Sequence, residues 1–395
     1  MSFNVEADRY RKDNRRKALG NGQTENTEVH LCALRQRSYL EKERRYSWPA
    51  DISQPVIRSF ENFLPVVFRI PTDRINWTTS SFLIGTFFLT LTAVPLYLWY
   101  FGVDWFQLAV FAASLSAAGF SVTLGYHRLF SHMTFRAKLP VRLFTLIFGA
   151  GAFENSVLMW ASEHRRHHKH VDHDEDPYDI TKGFFHAHIG WLLFKLLPQP
   201  PFDNVNDLKK DPLVMWQHRY IHLIAVVVSF LLPALAGFLW DGWVGALGGF
   251  LIGGVAKVVV LQHCTFLINS ACHTIGRQPY STRCSARDSL FLALFTFGEG
   301  YHNYHHEFQH DYRNGVKPWQ WDPTKWLIWV LSKLGLTSGL RRVPQEVIYS
   351  AQARLRDSRT RKSDDASSKE EKEMDSRPDS KSVESIAPAH FDLSV

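Results

Sequence analysis

The chain has 395 residues, a formal net charge of +7 and a hydrophobic fraction of 45%. Its length alone would allow two soluble domains. The basic stretches near residues 9–17 and 42–45 also contain acidic residues, which argues against nucleic-acid binding. The four cysteines form no CxxC pair, which argues against a zinc ribbon or a thioredoxin-like centre.

Residues 1–75 come before the first apolar run, and most of this segment is polar and charged. Segments with few apolar residues cannot bury enough surface to offset the entropy lost on folding. The sequence therefore predicts an N-terminal segment over 1–75 that is partly disordered.

Four apolar runs follow, at 82–102, 105–125, 222–240 and 243–262, and Lys257 is the only residue with a permanent charge inside them. About 20 apolar helical residues cross a bilayer core of about 30 Å, so each run is long enough to span a membrane. The alternative interpretation is a set of buried helices in a soluble α-helical protein.

The runs occur in two pairs, and only two residues separate the members of each pair: Val103 and Asp104, then Asp241 and Gly242. Such short connections predict two helical hairpins with all long segments on one side. Lys and Arg concentrate in those segments, so the positive-inside rule makes that side cytosolic. We therefore expect an all-α integral membrane protein with four transmembrane helices in two hairpins and a cytosolic helical cap over 76–345. A charged, mostly disordered tail is expected over 346–395.

Three histidine clusters lie on the predicted cytosolic side. They consist of His127 and His132; His164, His167 and His168; and His302, His305 and His306. Positions i, i+3 and i+4 share one face of a helix, so each triplet is expected to aim several nitrogens at one point. Surface histidines are the alternative, but the repeated spacing favours a metal site.

Eight imidazoles are too many for one ion, and two ions with four or five ligands each would use them fully. An imidazole-rich set suits Fe, Cu, Zn or Ni. Iron is favoured by the position beside membrane hairpins, because oxidation of a lipid chain requires activated O2. A two-zinc hydrolase is the main alternative.

The clusters lie in the motifs GYHRLFSH (125–132), EHRRHHK (163–169) and GEGYHNYHH (298–306), and Asn269-Ser-Ala-Cys-His273 lies between the second and third. With these motifs the chain resembles the membrane-bound fatty acyl-CoA desaturases of the stearoyl-CoA (Δ9) type, from about residue 75 to 345. The resemblance implies a diiron centre in which His273 is a ninth ligand and Asn269 binds through a water. It also implies O2-dependent formation of a cis double bond at Δ9 of a saturated C16 or C18 acyl-CoA, for unsaturated fatty acid biosynthesis.

The resemblance further implies a bent tunnel for the acyl chain beside the metals. By this likeness, Trp160, Thr265 and Phe266 line the bend, and Asn155 matches the family. Lys182 is expected to meet phosphates of CoA as a point charge. Leu115 and Gly119 would set the tunnel depth. Glu154 stands where some relatives carry Gln.

Two departures from the family leave alternatives open. Animal members carry Arg-Asp where this chain has Ser162-Glu163, so an acyl-lipid or an acyl-carrier protein stays possible as the donor. No haem-binding HPGG segment follows the core, so electrons are expected from a separate cytochrome b5 or ferredoxin with its reductase. A bacterial inner membrane or the endoplasmic reticulum would suit the topology.

Two other function classes stay open at this point. A diiron lipid or alkane hydroxylase would use the same histidines. A metal-binding membrane protein or transporter would need polar groups within the bilayer, and the four runs have almost none.

Overall fold

The computed structural model describes residues 72–196 and 201–375, and this part of the chain is almost entirely helical. The α-helices are α1 (Trp77–Phe101), α2 (Trp105–Phe120), α3 (Leu139–Ala150), α4 (Val157–His170), α5 (Trp191–Leu193), α6 (Pro212–Val226), α7 (Leu232–Gly248), α8 (Lys257–Asn269), α9 (Leu290–Phe295), α10 (His302–Glu307), α11 (Pro323–Lys333) and α12 (Gln345–Asp375). π-Helical segments extend or join them at Ser121–Ser131, His186–Gly190, Val227–Leu231 and Gly249–Ala256. Two short strands, β1 (Arg136–Ala137) and β2 (Thr337–Ser338), pair antiparallel. Almost all of the predicted N-terminal segment lies outside the described residues.

The first two apolar runs form α1 and α2 with its π-helical extension to Ser131. The connecting segment is short because Gly102 ends α1 in a left-handed conformation (φ 77°) and Asp104 caps α2 by accepting the Phe106 N–H at 2.9 Å. Only 17% of the most apolar window of α1 is buried inside the protein. A helix this apolar and this uncovered is suited to contact with lipid.

The third and fourth apolar runs fall within one helical stretch, Pro212–His273. The described residues therefore contain three helices that are long and apolar enough to cross a membrane, where the sequence predicted four. Asp241 and Gly242 leave helical geometry inside this stretch, with φ values of −143° and 52°. The backbones on either side touch, because a Cβ on Gly237 would collide with the Gly245 carbonyl.

The cap packs against the π-helical segment Ser121–Ser131. Tyr126, Leu146, Leu158 and Ile328 are completely or almost completely buried in one apolar cluster that joins this segment to α3, α4 and α11. The Gln217 amide also donates to the Tyr126 hydroxyl at 2.5 Å, which ties in α6. The segments that carry the first two histidine clusters therefore share one continuous core.

The end of the described chain differs from the expected disordered tail. Residues 345–375 form α12, and Ile348, Ala351 and Leu355 are buried along its first three turns. Their i, i+3, i+7 spacing makes an apolar stripe that the high charge of the segment hides in a composition count. The expected tail beyond residue 375 lies outside the described residues.

Candidate metal centre

Nine buried or half-buried histidines converge in two groups that could each hold a metal ion. Group one contains His127, His132, His164, His168 and His305, and group two contains His167, His273, His302 and His306. Within each group, one potential ligand atom per residue lies within 4.8 Å of all the others. All nine are histidines that the sequence indicated, and no Cys, Asp or Glu of the described residues joins either group.

The Nε2 atoms are spaced as ligands of a shared ion would be. Neighbouring Nε2 atoms of group one are 2.8 Å (His132 to His164), 2.9 Å (His168 to His305) and 3.0 Å (His127 to His305) apart. In group two they are 3.0 Å (His302 to His306), 3.1 Å (His273 to His302) and 3.2 Å (His167 to His306) apart. Two nitrogens about 2.1 Å from one ion and at a right angle are about 3.0 Å apart.

Each histidine triplet contributes to both groups, which differs from the expectation that a triplet aims at one point. On α4, His164 and His168 belong to group one and His167 to group two. On α10 the pattern is reversed, because His302 and His306 belong to group two and His305 to group one. Residues i and i+4 are about 40° apart around a helix, whereas i+3 lies about 60° on the other side of i.

Carboxylates and hydroxyls hold the outer nitrogens of several of these rings. His127 Nδ1 lies 2.9 Å from Glu299 and His167 Nδ1 lies 2.8 Å from Asp176. His273 Nδ1 lies 2.7 Å from the Ser285 hydroxyl, which is bound by Asp172. A proton kept on Nδ1 by such a partner leaves the Nε2 lone pair free to bind a metal.

The electrostatics of the cap favour neutral imidazoles. Burial, assisted by the neighbouring rings, lowers the pKa of His164, His302 and His305 well below the usual value. Burial raises the pKa of Glu299, but the nearby Arg128 and His127 outweigh it and lower the pKa overall. The Glu299 carboxylate beside His127 is therefore ionised. The lowered pKa values of His164, His302 and His305 keep these imidazoles neutral, and neutral imidazole is the form that binds metals.

Arg128 is the charge centre beneath group one. It is 1% exposed and donates to Glu299 at 2.8 Å and to Asp322 at 3.0 Å. Asp322 caps α11 through the Lys325 N–H at 2.9 Å. This network links the π-helical segment, the loop before α10 and the start of α11.

The expected substrate residues lie at different depths around the centre. Trp160 stacks on His164 with ring centroids 4.8 Å apart, and its Nε1 donates to Glu154 at 3.1 Å. Burial raises the pKa of Glu154 to about 7, although Thr265 and Trp160 lower it through hydrogen bonds. Gly119 and Thr265 line one narrow pocket, and Leu115 belongs to the apolar cluster around it.

The other expected residues lie elsewhere. Asn155 is exposed, and Lys182 is paired with Asp174 and Asp179 at the surface. Phe266 is buried against the His188 and His263 rings, away from the pocket lining. Asn269 is half-buried at the end of α8, one turn before His273.

The sequence reasoning missed the residues that support the histidines. Glu299 lies inside the quoted GEGYHNYHH motif, but its partner His127 belongs to the first histidine cluster, so no local spacing pointed to it. Asp172 and Asp176 follow the second triplet in a stretch rich in acids, where nothing in the sequence separates them from Asp174 or Glu175.

The sequence model of the family described as Fatty acid desaturase matches residues 104–328, a range that includes all nine histidines. The chain is 43% identical over 233 residues to a Schizosaccharomyces pombe protein named Probable acyl-CoA desaturase, covering 58% of this chain and 48% of that protein. It is 39% identical over 288 residues to Acyl-CoA desaturase 1 of Saccharomyces cerevisiae, covering 71% and 54%. It is 36% identical over 255 residues to human Stearoyl-CoA desaturase 5, covering 63% and 76%. The chain thus spans about half the length of the two yeast relatives.

Proposed function

The chain belongs to the fatty acid desaturase family, and on this premise we propose that it is a diiron acyl-CoA desaturase. The proposed reaction introduces a cis double bond at Δ9 of a saturated C16 or C18 chain, as a step in making unsaturated fatty acids. The reaction consumes O2, two electrons and two protons, and releases two molecules of water. The observation that carries the proposal is the pair of histidine groups beside a narrow, mostly apolar pocket.

The donor set fits two iron ions. Nine imidazoles divide into groups of five and four, and their Nε2 atoms are spaced for shared ligation. The Nδ1 atoms of His167 and His273 are hydrogen-bonded, and that of His127 lies 2.9 Å from the Glu299 carboxylate. Two-zinc hydrolases use bridging carboxylates, and neither group includes a carboxylate among the described residues. Asn269 is proposed to support group two through a water.

Bound iron would supply the O2-derived oxidant that an unactivated methylene requires. The protein's own residues position the chain and keep out water. Trp160 stacks on His164 and packs against the apolar cluster that includes pocket residues Val122 and Leu261, so we propose that its ring sets how near an acyl chain can approach group one. Thr265 and Glu154 are the polar groups next to Trp160, and they are hydrogen-bonded to each other. Burying a neutral Glu154 carboxyl beside a hydrocarbon chain costs far less free energy than burying an ionised one. Holding one carbon pair in reach is what gives a single double-bond position.

We further propose that Pro212–His273 crosses the membrane twice, which gives four spans in two hairpins. The non-helical residues Asp241 and Gly242 would form the turn, and the Gly237–Gly245 contact supports an antiparallel return. The histidine groups would then lie on the cytosolic side of the endoplasmic reticulum or of a bacterial inner membrane.

The acyl donor is proposed to be acyl-CoA, in keeping with the names of the relatives. Exposed Lys182 would exchange its carboxylate partners for a phosphate of CoA. Electrons would come from cytochrome b5 or from ferredoxin with its reductase.

The test is fatty acid analysis, with double-bond positions mapped, in a host that lacks its own desaturase. Wild-type protein should give Δ9 16:1 or 18:1 acids, and His168→Ala should give none. Hydroxylated chains would replace the proposal with a hydroxylase. If a labelled saturated acid is supplied and its unsaturated product appears in membrane phospholipids before it appears in the acyl-CoA pool, the substrate would be an acyl-lipid.

A further inference from the structure

The cap contains a second cavity, which shares no lining residue with the pocket beside the metal centre. It has a volume of about 420 Å³ and lies where β1 and β2 meet the start of α3. This volume is within the range of about 300–1,000 Å³ that is typical of small-ligand sites. The inner wall of the cavity is apolar and is formed by the buried side chains of Leu129, Phe130, Phe135 and Leu208.

The exposed rim of this cavity carries an excess of positive charge. Three arginines line it, Arg136, Arg142 and Arg341, together with the carboxylate of Asp211. Arg142 is ion-paired with Asp211. Within the described ranges, the guanidinium groups of Arg136 and Arg341 have no hydrogen-bond acceptor and no ion-pair partner. Two positive charges of the cavity therefore stay uncompensated in this part of the protein.

The backbone fixes the positions of these two arginines. Arg136 is paired with Ser338 across β1 and β2. The Arg341 N–H donates to the Thr134 carbonyl at 2.9 Å. Gly339 has a left-handed conformation (φ 62°), and a Cβ built on it would lie 3.5 Å from Arg136 Nε, so the Arg136 side chain lies against this glycine. Because the two cations are carried on one paired segment, less conformational entropy is lost when an anion binds between them.

Phosphate is the anion that this arrangement matches best. A guanidinium group presents several N–H donors in one plane, which suits the oxygens of a phosphate or a carboxylate. A phosphate monoester has a charge of about −1.5 to −2 at pH 7, whereas a carboxylate has a single charge. The two unpaired arginines therefore favour a phosphate monoester.

Exposed apolar side chains beside the cavity indicate where such a phosphate would come from. Leu139 precedes Arg142 by three residues on α3, about 4.5 Å along the helix axis, and is 54% exposed. Leu334 follows α11 and is 67% exposed, and the Lys333 ammonium lies over the Trp329 ring at 5.4 Å. Apolar, aromatic and basic side chains on one surface are typical of protein at the level of lipid headgroups.

We propose that this cavity binds an anionic phospholipid whose headgroup is a phosphate monoester, as in phosphatidate. Arg136 and Arg341 bind the phosphate at the rim, and the apolar inner wall contacts the glycerol backbone and the first methylenes of the acyl chains. Basic pockets at the cytoplasmic membrane surface are suited to such headgroups. This site is separate from the proposed desaturation chemistry, and it requires only that the cap lies against a membrane.

The first test compares three probes on purified full-length protein in a neutral detergent. Tm is followed as dioctanoyl phosphatidate, dioctanoyl phosphatidylcholine or glycerol 3-phosphate is added. Phosphatidate should raise Tm and phosphatidylcholine should not. Glycerol 3-phosphate should need a concentration at least about tenfold higher, because it lacks the methylenes that the apolar wall would bury. No rise with phosphatidate would overturn the proposal, and equal potency of glycerol 3-phosphate would assign the cavity to a soluble phosphate ester instead.

The second test removes the two unpaired arginines. The double variant Arg136→Gln, Arg341→Gln should raise the phosphatidate concentration for half-maximal stabilisation at least about tenfold, because two charge-assisted contacts are lost. The matched control is Lys138→Gln, Lys333→Gln, which removes the same charge from exposed positions that do not line the cavity. This control should change the half-maximal concentration little. Equal weakening in both double variants would indicate general attraction to a basic surface and would overturn the proposal.

A competition experiment separates this site from the proposed substrate site, because acyl-CoA also carries phosphates. Free CoA is added to protein that has been saturated with phosphatidate, and the rise in Tm should persist. Displacement of phosphatidate by CoA, together with loss of CoA binding in Arg136→Gln, Arg341→Gln, would assign the cavity to CoA and overturn the lipid proposal. These measurements need no turnover, so their failure would leave the proposed desaturase activity to be judged by its own products.

Discussion

The two histidine groups differ in the charges that support them. In group one, the carboxylate beside His127 is Glu299, and the buried Arg128 offsets its charge. In group two, His167 meets Asp176 and His273 meets Ser285 with Asp172 behind it. Among the described residues, no Lys or Arg is ion-paired with either of these aspartates.

This difference shows that two similar ligand sets need not make equivalent sites. An ion in group two would lie nearer to uncompensated negative charge, which favours binding and a higher oxidation state. An ion in group one would lie beside a carboxylate that is paired with a buried guanidinium, and it would have one more histidine. Group one also borders Trp160 and the pocket, since the His164 ring stacks on Trp160.

Removing one ligand from each group gives the largest expected effect. His168→Ala leaves four histidines in group one, whereas His306→Ala leaves three in group two. Both should abolish desaturation, and His306→Ala should lose its ion more completely. Iron per chain, measured after purification, should fall from about two to about one in His306→Ala.

The control for this comparison is His170→Ala. His170 lies on α4 with His168, belongs to neither group and is paired with Glu175. It should keep both activity and iron. Equal loss of iron in all three variants would mean that the groups do not act separately.

The next largest effect concerns the charge balance under group one. Arg128→Met would leave the buried Glu299 and Asp322 without their cation, and breaking a buried pair this way costs about 3–5 kcal/mol of unfolding free energy. Arg142→Met is the matched control, because its pair with Asp211 is about one quarter exposed and should contribute only about 0–1 kcal/mol. Thermal unfolding in detergent measures both, and equal losses would show that the network under group one is not special.

Asp176→Asn should weaken group two specifically. Loss of a carboxylate behind a metal-binding histidine typically lowers metal affinity about 10- to 100-fold. Chelator competition on the purified protein should release one iron early and leave the other in place. Asp174→Asn is the control, because Asp174 is solvent-exposed, is paired with Lys182 and contacts neither histidine group among the described residues. Early release in both variants would contradict the assignment.

The smallest expected effect is a pH dependence on the pocket side of group one. Burial raises the pKa of Glu154 from 4.5 in the unfolded chain to about 7 in the folded protein. The folded protein therefore keeps the carboxyl neutral at low pH and loses this neutral form as pH rises through about 7. Its contribution to stability follows the same window, and acyl-CoA affinity should also fall as the carboxylate forms beside the pocket. Titration of acyl-CoA binding from pH 5.5 to 8.5 measures this.

Glu154→Gln should flatten that profile, because the amide keeps the hydrogen bond from Trp160 without ionising. A pH dependence that survives this substitution would place the titrating group elsewhere.

The sequence predicted the ligands better than their arrangement. The i, i+3, i+4 spacing indicated six of the nine histidines, the pair His127 and His132 brought the number to eight, and the resemblance added His273. The division of each triplet between the two groups depends on how α4 and α10 face each other, which no local spacing encodes. Asp172 and Glu299 approach their histidines across gaps of about 100 and 170 residues, so their roles come from the tertiary fold.

The sequence also predicted the four apolar helical runs, but it did not predict that the last two form one helical stretch. A run of hydropathy does not reveal that residues 212–273 keep helical hydrogen bonding on both sides of Asp241 and Gly242.

The most direct test of two histidine groups holding two ions is the metal content and iron-edge X-ray absorption of the purified full-length protein. The account predicts about two irons per chain with a ligand shell dominated by imidazole nitrogen. Retention of a single metal per chain, or of zinc in place of iron in an active preparation, would contradict it.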